Sequence, residues 1–211
     1  MTGSIHLGVV ILGAGASSRM GRPKLLLPWG DSTIVARLID TWRQAGAEQI
    51  AVVCAPDNHS LFDEIDRAAP YFDDKIINPE PCRGMFSSIQ CAARWPRWKH
   101  DLTHLAFCLG DQPHLRNETL EALLNFSAEN PENLVQPSSR NRPRHPVVMP
   151  KSVFKKLDGA RETDLRAFLK SHQYLARSIS CNDPGLDLDI DTPADYEQAL
   201  KLVYPDAQHA R

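Results

Sequence analysis

Four of the chain's 11 glycines fall between positions 8 and 21, in the run Gly8-Val-Val-Ile-Leu-Gly-Ala-Gly-Ala-Ser-Ser-Arg-Met-Gly21. A turn poor in Cβ atoms lets backbone N–H groups approach an anion, and Arg19 and Lys24 put fixed positive charge beside it. A triphosphate is the natural guest. A second group, Gly110-Asp111-Gln112-Pro113, directly follows the apolar run His104 to Leu109. A carboxylate at the end of a strand, on the same sheet edge as the glycine loop, is suited to hold Mg²⁺ beside that triphosphate. Gly-Asp and Gln-Pro are equally ordinary turn material. The third group is Asp187-Leu-Asp-Ile-Asp191-Thr-Pro-Ala-Asp195. On an extended strand Asp187, Asp189 and Asp191 share one face, where they repel unless solvated or neutralised by a cation. An exposed edge strand leading into a helix cap at Asp191 or Thr192 accounts for the same residues without a ligand.

Two other phosphate loops are tested by spacing. The dinucleotide fingerprint G-x-G-x-x-G requires a third glycine where Ser18 stands, and the chain runs on through Arg-Met-Gly-Arg-Pro-Lys24 instead of entering a helix. A Walker A loop requires Gly-Lys-Ser/Thr, whereas Lys24 lies between Pro23 and Leu25. Neither matches. The glycines alone also fit a plain strand-to-helix connection, and Arg19 and Lys24 weigh against that.

The elements that must carry these groups alternate in type. Gly8–Leu12, Gln49–Cys54, Lys75–Ile77 and His104–Leu109 are short apolar runs of the kind found in buried parallel strands. Between them, Ser32–Ala45 (with Ser32 as N-cap and Gly46 as terminator), Ser60–Ala69 and Met85–Arg94 have helical spacing, as does Asn117–Ala128 after the last of them. Alternation of this sort predicts an α/β fold with a largely parallel sheet. From Gln136 to Pro146 the chain becomes polar, proline-rich and locally basic before the strand-like Val147–Met149, which reads as a loop or hairpin insertion over 136–150. Helices over Ser152–Leu157 and Asp164–Ser171, a strand-like tail over Leu186–Ile190 and a helix opened by Thr192-Pro193 complete the pattern within one domain, 1–211.

Composition excludes several classes. Of 211 residues 42% are hydrophobic and 24 Lys+Arg face 26 Asp+Glu, so no excess positive field exists to hold nucleic acid or an anionic membrane. No run approaches the roughly 18 apolar residues of a membrane span, and no secretory leader pattern opens the chain, so a cytoplasmic location is expected. The five cysteines are scattered, without C-x-x-C spacing, which indicates neither a disulfide framework nor a zinc site. Cys54 and Cys108 lie in apolar runs and read as small buried hydrophobes.

Taken together, Leu12-Gly-Ala-Gly-Ala-Ser-Ser-Arg-Met-Gly-Arg-Pro-Lys-Leu-Leu-Leu27, Asn78-Pro79 with Gly84-Met85-Phe-Ser-Ser88, Gly110-Asp-Gln-Pro113, His145-Pro-Val147 and Asp189-Ile-Asp-Thr-Pro-Ala-Asp195 resemble one nucleotidyltransferase family. That family includes the molybdenum cofactor cytidylyltransferases and guanylyltransferases and, more distantly, the sugar-nucleotide pyrophosphorylases. The resemblance spans nearly the whole chain. It implies a three-layer, doubly wound, mostly parallel α/β fold, Rossmann-like, with a small inserted hairpin region. It further implies that Leu12, Gly13, Ala14, Gly15, Arg19 and Lys24 wrap a nucleoside triphosphate bordered by Asn78, Gly84 and Ser87. Asp111 and Asp189 would hold Mg²⁺, with Asp191 as a further candidate. Gln112, Pro113, Arg144 and His145 would face the acceptor, a phosphorylated pterin. The cytidylyl type resembles Ala-Ala-Gly in the loop and the guanylyl type Ala-Gly-Gly, usually with Asp before the lysine. Ala14 and Pro23 side with the cytidylyl type, Gly13 departs from both, and Arg144 stands where the family commonly has glycine.

The implied reaction is nucleotidyl transfer from CTP: the acceptor's phosphate monoester attacks the α-phosphorus in line and pyrophosphate leaves, with Arg19, Lys24 and Asp111 as the catalytic set. No protein nucleophile is needed, because the attacking group is already anionic. The work lies in bringing anions together and stabilising the leaving oxygen. Guanylyl transfer or another phosphorylated acceptor is the alternative within this chemistry. A non-enzymatic cofactor carrier is the alternative outside it, and docking to apo-molybdoenzymes or their maturation factors is an expected partnership.

Overall fold

The computed structural model describes residues 5–15, 18–68 and 74–205. In chain order its elements are β1 (Leu7–Leu12), β2 (Pro28–Trp29), β3 (Ser32–Thr33), α1 (Ile34–Gln44), β4 (Gln49–Cys54), α2 (His59–Ala68), β5 (Lys75–Ile77), α3 (Met85–Arg94) and β6 (His104–Leu109). There follow α4 (Asn117–Glu129), β7 (Leu134–Ser139), β8 (Arg142–Pro143), β9 (Val147–Pro150), α5 (Lys151–Phe154), α6 (Leu165–Ser171), β10 (Ala176–Ser180) and α7 (Pro193–Val203). The main sheet has the order β10-β7-β9-β6-β1-β4-β5, with β8 paired to β7. β6, β1, β4 and β5 are mutually parallel, and β9 runs against both β6 and β7.

Apart from Gln49 and His104 at their first positions, β1, β4 and β6 are apolar, and their residues sort by the two-residue period into two cores. Val9, Ile11, Val52, Ala106 and Cys108 pack with α1, α2, α4 and α7. Val10, Ala51, Val53, Leu105 and Phe107 pack with α3, α5 and α6. This three-layer sandwich is the expected α/β fold. Cys54 and Cys108 are buried, and burial pushes both thiols up to about 12, as suits inert packing residues. Among the described residues no helix is long and apolar enough to cross a membrane.

The polar stretch after Pro131 resolves into a hairpin within the sheet. Ser138 pairs with Pro143 and Ser139 with Arg142 around Arg140 and Asn141, both at positive φ. Three local expectations change. Ser32 belongs to the β2–β3 hairpin, and Thr33 caps α1 by accepting from the Ala36 amide at 3.4 Å. Edge strand β10, half exposed and with Ile179 its single branched apolar residue, was not expected. The Leu186–Ile190 segment is not a strand: Pro184–Asp187 forms a 3₁₀ turn, and the following backbone bonds to a loop, with Ile190 N–H donating to Asp111 O at 3.1 Å. Ala69 of the expected second helix lies outside the described residues, as do Ala16 and Ser17 of the glycine loop.

Candidate active site

Connections leave β1 toward β4 on one side and reach β6 on the other, so the loops after β1 and β6 meet at the carboxyl edge where the winding reverses. Their approach is close enough to require glycine. A Cβ on Gly110 would lie 2.8 Å from the Leu12 carbonyl oxygen and 2.9 Å from Leu25 Cδ2. Gly13 donates its N–H to Val53 O at 2.8 Å, and a Cβ there would meet Leu25 Cδ1 at 2.8 Å and Val53 O at 3.0 Å. Leu25 thus fills the space that a side chain at position 13 would take.

The loops border a cavity of about 390 Å³ whose lining includes Leu12, Gly13, Ala14, Gly15, Arg19, Lys24, Gly84, Asp111 and Asp191, with Asn58, Leu61, Met85 and Ser88 also in its wall. Lys24 Nζ donates to Asp111 Oδ2 and to Asp191 Oδ1, each at 3.2 Å, and Arg19 Nη2 lies 3.0 Å from Asp191 Oδ2. The Lys24 side chain is 14% exposed and that of Arg19 is 69% exposed, so one cation is seated in the floor and the other stands at the mouth. Burial holds the Asp111 carboxyl above its ordinary value against the pull of Lys24, with Asp189 and Asp191 raising it further. Its Oδ1 is enclosed and has no partner. An enclosed carboxylate oxygen without a donor, beside a second carboxylate, fits a hard cation.

Several expected residues lie elsewhere. Asn78 and Ser87 are buried behind the wall: Asn78 Nδ2 donates to Ser87 Oγ at 2.8 Å and Ser88 Oγ at 3.0 Å, and Ser87 Oγ donates to Gly84 O at 2.8 Å, which braces the Gly84 turn. The carboxylates expected to share one face meet different partners: Asp187 closes the 3₁₀ turn, and the extended backbone begins only at Leu188. Asp187 takes Arg144 Nε at 2.8 Å and Ser139 Oγ at 2.7 Å, Asp189 takes Gln112 Nε2 at 2.9 Å, and Asp191 alone lines the cavity. Arg144 is therefore paired. His145 lies beside Asp189 with Nδ1 enclosed and unpartnered, and burial brings its imidazole down to about 4. Pro113 lines a separate cavity. Met85 belongs to the Gly84–Ser88 motif, whereas Asn58 and Leu61 gave no signal in the sequence, since single side chains at the start of α2 become wall residues only once that helix is docked.

Another group of metal-ligating side chains, His6, Glu48 and Asp101, has donor atoms within 4.8 Å of one another. These residues precede β1, β4 and β6, so they sit at the opposite edge of the sheet from the cavity.

Comparison with known proteins agrees with this geometry. Over 191 residues the chain is 29% identical to the molybdenum cofactor cytidylyltransferase of Escherichia coli (strain K12), covering 89% of this chain and 92% of that protein. Over 202 residues it is 28% identical to the nicotine blue oxidoreductase of Paenarthrobacter nicotinovorans, covering 92% and 95%. The crystal structure of Rv0371c from Mycobacterium tuberculosis H37Rv superposes with a TM-score of 0.74 at 25% identity, covering 94% of this chain and 100% of that one. Residues 9–176 match the MobA-like NTP transferase domain, a span that takes in both loops of the cavity but not the Asp189–Asp191 segment. With its cavity at the reversal point of the sheet and that match over most of its length, the chain belongs to the MobA-like NTP transferase family and is a nucleotidyltransferase.

Proposed function

We propose that the protein transfers CMP from CTP to the terminal phosphate of molybdenum-bound molybdopterin, releasing pyrophosphate and forming the cytosine dinucleotide cofactor, in the cytoplasm. The observation that carries this reading is the ion cluster in the cavity floor, Lys24 between Asp111 and Asp191 with Arg19 at the mouth. The glycine loop offers backbone N–H groups to the triphosphate. Lys24 exchanges its carboxylate partners for phosphate oxygens, and Arg19 closes over the outer phosphates. Asp111 and Asp191 are the carboxylates that would hold Mg²⁺, while Asp189 orients Gln112 on the acceptor side with His145. When bound, the cation neutralises phosphate charge and stabilises the departing pyrophosphate. Ala14 and Pro23, together with the cytidylyltransferase name carried by the Escherichia coli relative, favour CTP.

A second reading, transfer to a different phosphorylated acceptor, is favoured by one observation: Arg144 is held by Asp187 instead of standing free for a pterin phosphate. Both are tested by calorimetric titration with CTP, GTP, ATP and UTP in Mg²⁺, followed by a pyrophosphate-release assay with the loaded pterin. Selective CTP binding and pyrophosphate release with that acceptor are expected. Preference for GTP moves the assignment to guanylyl transfer. CTP selectivity without release from the pterin supports the second reading, and the absence of binding to any nucleotide refutes both.

A further inference from the structure

His114 is the third residue after Asp111, is 3% exposed, and is not accounted for by nucleotide or acceptor binding. Its Nε2 faces two carbonyl oxygens, Gly185 O at 3.1 Å and Leu188 O at 3.0 Å. Carbonyls only accept, so Nε2 must carry the proton and the ring is fixed in one tautomer, donating across to the segment that leads into Asp189 and Asp191. The ring has little freedom to leave this position. Trp29, from the β2–β3 hairpin, lies with its ring centroid 6.4 Å away, and a Cβ on Gly185 would come within 2.8 Å of His114 Cδ2.

His114 is the central rung of a ladder. Toward the cavity, Ile190 N–H donates to Asp111 O at 3.1 Å and Gln112 Nε2 to Asp189 Oδ1 at 2.9 Å. Beyond it, Asp183 accepts from the Arg116 N–H at 3.0 Å and from Thr119 Oγ1 at 2.8 Å. The loop after β6 and the 183–190 segment are thereby zipped together, although they lie some 70 residues apart in the chain. Asp111 is carried by one and Asp191 by the end of the other.

We propose that His114 is a positioning residue for the cation site: its Nε2–H bonds to Gly185 and Leu188 hold the segment bearing Asp191 at the separation from Asp111 that a divalent cation requires. The proposal rests on the assignment of those two carboxylates as metal ligands. It touches neither substrate nor cation itself. Hydrogen-bonding partners behind metal ligands commonly set affinity in this way, and their removal costs roughly 10- to 100-fold in metal binding.

The test is Mn²⁺ binding, measured by electron paramagnetic resonance with and without CTP, on the wild-type protein and on His114→Leu, His114→Gln and Gly185→Ala. Thermal melts set the temperature so that every variant measured is folded. His114→Leu removes the donor, and Gly185→Ala pushes the ring off its carbonyls while leaving the histidine in place, which keeps the test available if His114→Leu does not fold. Both are expected to weaken Mn²⁺ binding roughly 10- to 100-fold, with CTP affinity in the absence of metal unchanged. His114→Gln, whose amide Nε2 can still donate to the same carbonyls, is expected to recover most of the affinity. A loss of melting temperature with Mn²⁺ affinity unchanged in His114→Leu or Gly185→Ala overturns the proposal and makes His114 a packing residue. Absence of Mn²⁺ binding by the wild-type protein overturns the metal assignment, and the proposal falls with it.

Discussion

Exchanging the two partners at the cavity floor should have opposite effects on stability. Removing the cation with Lys24→Met leaves Asp111 and Asp191 facing one another without their shared ammonium, each having lost a contact at 3.2 Å. Breaking a fully buried pair costs about 3–5 kcal/mol, and exposures of 23% and 33% for the two carboxylates discount this to about 1–3 kcal/mol. In a domain of this size that lowers Tm by about 3–10 °C. The loss should also depend on pH. Asp111 is already held above its ordinary value of 3.8 by burial, and losing Lys24 raises it further. The folded variant then binds this proton more tightly than the unfolded chain, so the contribution of Asp111 to its stability is fully present at low pH and is lost as pH rises through the folded pKa. Asp111→Asn, by contrast, removes a desolvated charge and leaves Lys24 paired with Asp191. Its Tm should be unchanged or higher, while turnover falls by roughly 10²- to 10³-fold, as for loss of one preorganised group. Divalent cation provides the check independent of turnover. At a Mg²⁺ concentration ten times its dissociation constant, linkage restores about 1.4 kcal/mol to Lys24→Met and little to Asp111→Asn. Calorimetric melts across pH and Mg²⁺ measure all three effects. Equal destabilisation of the two variants, or no rescue of Lys24→Met by Mg²⁺, refutes the electrostatic account of the floor.

Two further outcomes follow from the packing around the site. His145, brought down from 6.5 to about 4, is neutral when folded and more readily protonated when unfolded, so its contribution is present above pH 6.5 and is lost as pH falls toward 4; in urea unfolding the loss of stability from pH 7 to pH 5 should be about 2 kcal/mol larger in the wild-type protein than in His145→Asn, the buried His104 and His114 contributing to the loss in both. Gly110→Ala drives a Cβ against the Leu12 carbonyl, where backbone must yield, and should cost about 1–3 kcal/mol in denaturant melts together with a rise in the KM for nucleotide; wild-type values for both would show that β1 and β6 need not approach so closely.

The sequence by itself determined the layered α/β fold and that Gly13, Lys24 and Asp111 line one cavity. Short apolar runs separated by helical periods dictate a buried parallel sheet, and a doubly wound sheet binds at the carboxyl ends of its strands, so Gly13, Lys24 and Asp111 are legible in the sequence as one edge. These are local signals, carried by residues adjacent in the chain. What only the tertiary structure decided is where the acidic tail goes. Read locally, Asp187-Leu-Asp-Ile-Asp191 alternates like a strand with three carboxylates on one face. Folded, its backbone bonds to the loop after β6 instead of to a neighbouring strand, and its carboxylates part toward Arg144, Gln112 and Lys24. The same holds for Asn78 and Ser87, which the motif places at the nucleotide and the packing places behind its wall, and for His114, whose role exists only because Gly185 and Leu188 present their carbonyls to it. Side-chain periodicity fixes which way a residue points from its own element. Which partner it meets depends on contacts between segments tens of residues apart, and local sequence carries no record of those.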